Sequence, residues 1–140
     1  MSKTVKCIIA VMILTLLTAG CGSPGFSGPD PDKIVPAREV LIENLKDSGY
    51  TVKELSAIEG SDLTVDRVSA QRGDSFIDIV YGLSGEEASV IFDIYCGQYE
   101  DNYYILARNG NYVYCISDKK TFSKAGFTST ENVGVQYIHN

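Results

Sequence analysis

The sequence predicts one small α+β domain, a two-layer arrangement of an antiparallel sheet with helices packed on one face. Three observations carry that expectation. The stretch SFIDIVYGL from Ser75 to Leu83 alternates its side chains with period two, as a strand does. The pair Asn109-Gly110 lies between YYILAR and NYVYCIS, which marks a tight hairpin and so an antiparallel pair. Two further segments, 33–48 and 84–97, carry helix start and stop residues in the right order. Beyond the N-terminal segments, about 100 residues remain, enough for one core.

The chain opens differently. Lys3 and Lys6 precede CIIAVMILTLLTA (Cys7 to Ala19), an apolar run too short to span a bilayer comfortably. A positive start followed by a short apolar stretch reads as a secretory signal. Leu17-Thr18-Ala19-Gly20-Cys21 then places small or apolar residues directly before a thiol. This resembles the lipobox of bacterial lipoproteins, although Thr18 stands where Leu is commoner. The resemblance implies that Cys21 receives a diacylglyceryl group, that cleavage occurs before it, and that residues 1–20 are a signal peptide. Two acyl chains suffice for stable attachment where one is marginal. The expected location is the extracytoplasmic face of a cell membrane, lipid-anchored.

The full chain has 12 basic and 18 acidic side chains, a net charge of −6. Loss of Lys3 and Lys6 with the signal would leave ten against eighteen, or −8. Such a domain is unsuited to nucleic acid and to anionic lipid headgroups. Residues 21–32 read as a flexible lipidated tether. Three Gly, three Pro and two Ser among the eleven residues from Gly22 to Asp32 cannot bury a core. Drawn out, they reach about 35 Å. The domain proper is expected over residues 33–140.

Its first helix is expected over Lys33–Ser48, with Pro36 early and a stripe of Ala37, Val40, Leu41, Asn44, Leu45 and Ser48. Gly49 is its stop. Tyr50–Ile58 follows as a strand. Leu63–Gln71 is a second, in which the phase change between Val65 and Val68 suggests a bulge. In the third, Ile77, Ile79, Tyr81 and Leu83 line one face, and Phe76, Asp78 and Val80 the other. Ser84 opens the second helix, and Glu87 completes a capping box with it. Ala88, Ile91, Phe92 and Tyr95 make its apolar stripe, which ends near Cys96-Gly97.

With Asn109-Gly110 as the central turn residues, Arg108 faces Asn111, Leu106 faces Val113 and Tyr104 faces Cys115. Asp118–Ala125 is a short helical turn ending at Gly126. The alternation of Val133, Val135 and Tyr137 suggests a last edge strand.

Cysteines are few. With Cys7 removed and Cys21 lipidated, Cys96 and Cys115 are left, and outside the cytoplasm such a pair suggests one disulfide. Two buried thiols are the alternative. Either would need His139 to act as a nucleophile, since it is the one histidine, and it sits at a terminus that frays. No Gly-rich phosphate loop, CxxC or HExxH occurs, so no cofactor, metal or catalytic set is expected. Asp78, between two isoleucines, is the carboxylate to inspect, with a solvated face as the plainer reading. Tyr95, Tyr99, Tyr103, Tyr104, Tyr112 and Tyr114 crowd into twenty residues. Cross-strand packing is one account of them. The other is a binding face of Tyr103, Tyr112 and Tyr114, placed together opposite the Cys115 side.

AREVLIENLKDSGY, GEEASVIFDIY and RNGNYVYCIS, in that order, also resemble segments of the small lipoproteins of Firmicutes, particularly clostridial ones. That resemblance carries no functional residues. The expected function is a binding module at the cell envelope, with an envelope protein or carbohydrate as partner and membrane lipid held through diacylglyceryl-Cys21. A small cell-envelope hydrolase using Asp or Glu residues is the alternative. An inhibitor of secreted enzymes is a third reading, by fold analogy alone.

Overall fold

The computed structural model describes residues 29–131 and 133–139. Cys21 and residues 1–20, expected to be a signal peptide, lie outside them. Among the described residues no helix is long and apolar enough to cross a membrane. The domain is α+β: one six-stranded antiparallel sheet with three helices packed against it.

The first described element is a 3₁₀ turn, Pro31–Lys33, capped by the Asp30 side chain, which accepts from the Asp32 N–H. The last residues assigned to the tether are therefore docked on the domain. Helix α1 (Arg38–Asp47) starts later than expected because Pro36 disfavours helical geometry at Val35. It buries Leu41 and Leu45. Its end is a complete Schellman motif, with Tyr50 N–H bonded to Leu45 O, Gly49 N–H bonded to Lys46 O, and Gly49 at φ +81°.

Strands β1 (Thr51–Leu55), β2 (Asp66–Arg72) and β3 (Ser75–Tyr81) form a meander. Helix α2 (Gly85–Gln98) carries the expected capping box, with Ser84 Oγ accepting from Glu87 N–H and Glu87 Oε2 accepting from Ser84 N–H. Strands β4 (Ile105–Asn109) and β5 (Tyr112–Ile116) form the hairpin, α3 (Lys119–Ala125) follows, and β6 (Val135–Ile138) closes the chain. The strand order is β1-β2-β3-β5-β4-β6.

The helices do not share one face. α1 and α3 pack on the side of Val68, Ile77, Ile79, Ile105, Tyr114 and Ile116, while α2 covers Val80, Leu106, Val113 and Cys115 on the other. The molecule is thus layered helix, sheet, helix. The cause is visible in the central strands. Ile77 to Val80 and Val113 to Ile116 are buried at every position, so both faces needed a cover. The phase change between Val65 and Val68 has the same origin. Val65 belongs to the α2-side core and Val68 to the other, and the β2–β3 register runs unbroken without a bulge. Gly82, at φ +68°, ends β3 and sends Leu83 to the α2 side rather than along the Ile77 face.

The hairpin register also differs. Asn109 pairs with Tyr112, Arg108 with Val113, Ala107 with Tyr114 and Leu106 with Cys115, so the turn residues are Gly110-Asn111. Gly110 has φ +58°, and a Cβ there would lie 2.7 Å from Cγ of Pro31. The sharp bend therefore falls where only glycine fits beneath the 3₁₀ turn. Because the shift is by two residues, side chains keep their faces, and Leu106, Val113 and Cys115 still stand together.

Candidate functional site

The expected tyrosine face is not assembled. Tyr114 is 0 % exposed, in the core beneath α1 and α3, with its ring 4.9 Å from that of Phe127. Tyr112 is half-buried on that same side, edge-on to Tyr81, and its hydroxyl donates to Asp32. That bond and burial push its pKa up to about 12. Tyr103 packs on the opposite side, against the α2 core. The reason is the chain between α2 and β4. Its residues precede the strand, so strand alternation does not set their direction, and Tyr103 and Tyr104 part to opposite layers.

The cysteines do not pair either. Cys96 is an exposed thiol on the last turn of α2, and Cys115 is a buried one in β5. Burial, then the Asp93 carboxylate, push Cys96 above its ordinary pKa, and burial followed by Asp78 does the same to Cys115. A nucleophilic cysteine needs the opposite shift. Cys21 lies outside the described residues.

Two polar features remain. The first is Asp78, which is 2 % exposed and faces α2 rather than solvent. Arg67 Nε and Nη2 donate to its two oxygens at 2.8 and 2.5 Å. Tyr95 Oη donates to Oδ1 at 2.6 Å and Tyr99 Oη to Oδ2 at 2.9 Å. Four donors on four acceptor positions leave no lone pair for a substrate proton. Burial and then the Asp78 charge raise the pKa of both tyrosines, so they stay neutral donors. Arg67 also reaches Ala57 O and lines a shallow hollow of about 490 Å³ with Glu59, Ile94 and Gln98. Its donors are engaged inward, and the arrangement is a structural brace between β2, β3 and α2.

The second is a cleft of about 340 Å³ at the end of the sheet where β4 begins and β6 finishes. Tyr99, Tyr103, Tyr137 and His139 wall it, with Glu100 and Asp101 also lining it. Each ring is held. Tyr99 stacks on Phe76 at 5.3 Å and bonds Asp78, Tyr137 stacks on Phe92 at 5.8 Å, and Tyr103 meets His139 edge-on at 4.4 Å. His139 Nε2 stands 3.8 Å from Asp101 Oδ1, and His139 N–H bonds Tyr104 O, which fixes the chain end. Cys96 also lines this cleft, so the fold does bring cysteine, histidine and aspartate together. Burial and Asp93 shift the Cys96 thiol towards its protonated form, which disfavours the thiolate that a nucleophile needs. Among the described residues no group of three or more His, Cys, Asp or Glu side chains is placed to hold a metal ion.

Sequence reasoning found Tyr103 but missed its neighbours. Tyr99 follows the end of α2, and Tyr137 and His139 arrive on a strand some forty residues later. Only the β4–β6 pairing unites them. Comparison of the chain with protein-family models, with curated proteins and with solved structures finds no match.

Proposed function

We propose that the chain is a binding module, anchored through diacylglyceryl-Cys21 to the extracytoplasmic face of a cell membrane, which takes an envelope partner in the aromatic cleft. One observation carries this reading: the chain enters the fold at one end of β4 and the cleft lies at the other. Pro31 packs over Gly110 and Asp32 is bonded to Tyr112, both at the hairpin tip. Tyr103 and His139 sit beyond Ile105, five strand residues away. That separation is about 17 Å at 3.4 Å per residue. A domain hung from its N-terminus by a short tether would hold the cleft away from the bilayer. The braced rings suit binding, since little side-chain freedom is left to lose. The hydrolase reading draws no support from Asp78, whose acceptor positions are full.

The anchor is tested with Cys21→Ala in cells fed labelled palmitate. The wild type should carry label and sediment with membranes, and the variant should lose the label and either leave the membrane fraction or persist as precursor. Unchanged labelling and processing would sink the anchor. The cleft is tested by cross-linking on intact cells, comparing wild type with a folded Tyr103→Ala/Tyr137→Ala chain. A partner held equally by both would move the binding site elsewhere.

A further inference from the structure

The two edges of the sheet are built differently. β1, at one edge, has the sequence TVKEL, and Lys53 and Glu54 are charges of the kind that discourage strand addition. β6, at the other, reads VQYI and carries no charge. Val135, Tyr137 and Ile138 are exposed by 42 %, 50 % and 43 %. The bond from His139 N–H to Tyr104 O fixes which residues of β6 turn inward. Positions 135, 137 and 139 bond to β4, so 136 and 138 direct their backbone N–H and C=O groups away from the sheet. Among the described residues nothing bonds those outward groups.

This open edge runs into the cleft. Tyr137 stacks on Phe92 of α2 and His139 meets Tyr103, so the α2-side residues of β6 form one wall of it. A strand laid beside β6 would stand about 4.8 Å away, with every second side chain on the α2 side. One such side chain would enter among Tyr99, Tyr103 and Tyr137, where it would meet the Glu100 and Asp101 carboxylates. Neutral tyrosine faces and two carboxylates favour a cation. Burial, then Cys96 and Asp101, keep the Tyr103 hydroxyl protonated. The chain's overall charge of −6 has the same sign.

From this we infer that the partner is an extended, basic peptide segment, added to the free edge of β6 as a seventh strand with a lysine or arginine in the aromatic cleft. The inference deepens the binding-module reading and rests on it for the cleft, but not for the anchor. Backbone bonds to positions 136 and 138 would supply register and the cleft would select the cation, the usual division in strand addition.

The test uses the full chain in neutral detergent and a fluorescein-labelled, end-blocked peptide of alternating lysine and valine, read by fluorescence anisotropy. Binding should weaken at least tenfold when glutamate replaces lysine, and likewise when alternate peptide nitrogens are methylated, a change that leaves the protein untouched. Glu100→Gln/Asp101→Asn should weaken binding several-fold and flatten its salt dependence, because fewer charges are then screened. Equal binding of the methylated peptide would overturn strand addition. Equal binding of the glutamate peptide would overturn the cation site. No peptide binding up to millimolar, binding of oligosaccharide in its place, or a dimer that occupies the edge in sedimentation would each overturn the proposal. Should a cross-linked envelope partner persist in cells while the peptide fails, the binding module survives and this account of its partner does not.

Discussion

Asp78 is the residue on which the interior of this protein turns. A carboxylate removed from water is costly unless fully compensated, and here four donors from three side chains compensate it. Taking away one partner strands the others. Asp78→Leu alone, or Arg67→Met alone, should each destabilise the fold by about 3–5 kcal/mol, because an uncompensated buried charge remains. The double variant should be less damaged than the sum, since no lone buried charge remains and only the Tyr95 and Tyr99 hydroxyls are left without their acceptor. Chemical denaturation of the four proteins measures this, and strictly additive losses would refute the coupling. The sequence singles out Asp78, between Ile77 and Ile79, but reads more plainly as a solvated face than as the buried one observed. It did not reveal that Arg67, Tyr95 and Tyr99 would converge there from two other elements.

Among elements, local chemistry decided the ends and long-range packing decided the orientation. The Ser84–Glu87 box, the Gly49 stop and the Asp118–Gly126 limits of α3 all depend on residues within a few positions of one another. They were legible for that reason. Asp118 adds a pH dependence. Its side chain accepts from Ser117 Oγ and from the N–H and hydroxyl of Thr121. Burial works to raise its pKa, but these bonds outweigh it and bring it down to about 2 from 3.8. The folded form thus binds the proton less readily than the unfolded one, so stability rises with pH across that window. Asp118→Ala should cost about 1 kcal/mol at neutral pH. The gap to wild type should close as the pH falls from about 4 towards 2, in urea titrations run at each pH. A gap that stays constant to pH 2 would remove the carboxylate's role.

For the molecule as a whole, both thiols lie on the α2 side of the sheet, and α2 itself separates them by accessibility. Cys96 faces solvent beside the cleft, whereas Cys115 lies beneath α2 in the core. Iodoacetamide should modify Cys96 in the folded protein at a rate set by its raised pKa, and should reach Cys115 only on unfolding. Mass analysis counts the adducts. A cross-linked Cys96–Cys115 peptide under non-reducing conditions would restore the disulfide that the sequence suggested.

By itself the sequence determined the α+β class, the antiparallel hairpin, the helix caps and the terminal edge strand. These follow from periodicity and from residues acting over a few positions. The resemblance of residues 17–21 to a lipobox is equally local, and the proposed anchor at Cys21 is tested by chemistry rather than by the fold. Tertiary structure alone decided which face each helix covers, the two-residue shift of the hairpin over Gly110, and the gathering of Tyr99, Tyr103, Tyr137 and His139. Each of those depends on segments far apart in the chain. A face or a register is chosen by what packs against it, and one segment's pattern does not contain its neighbour.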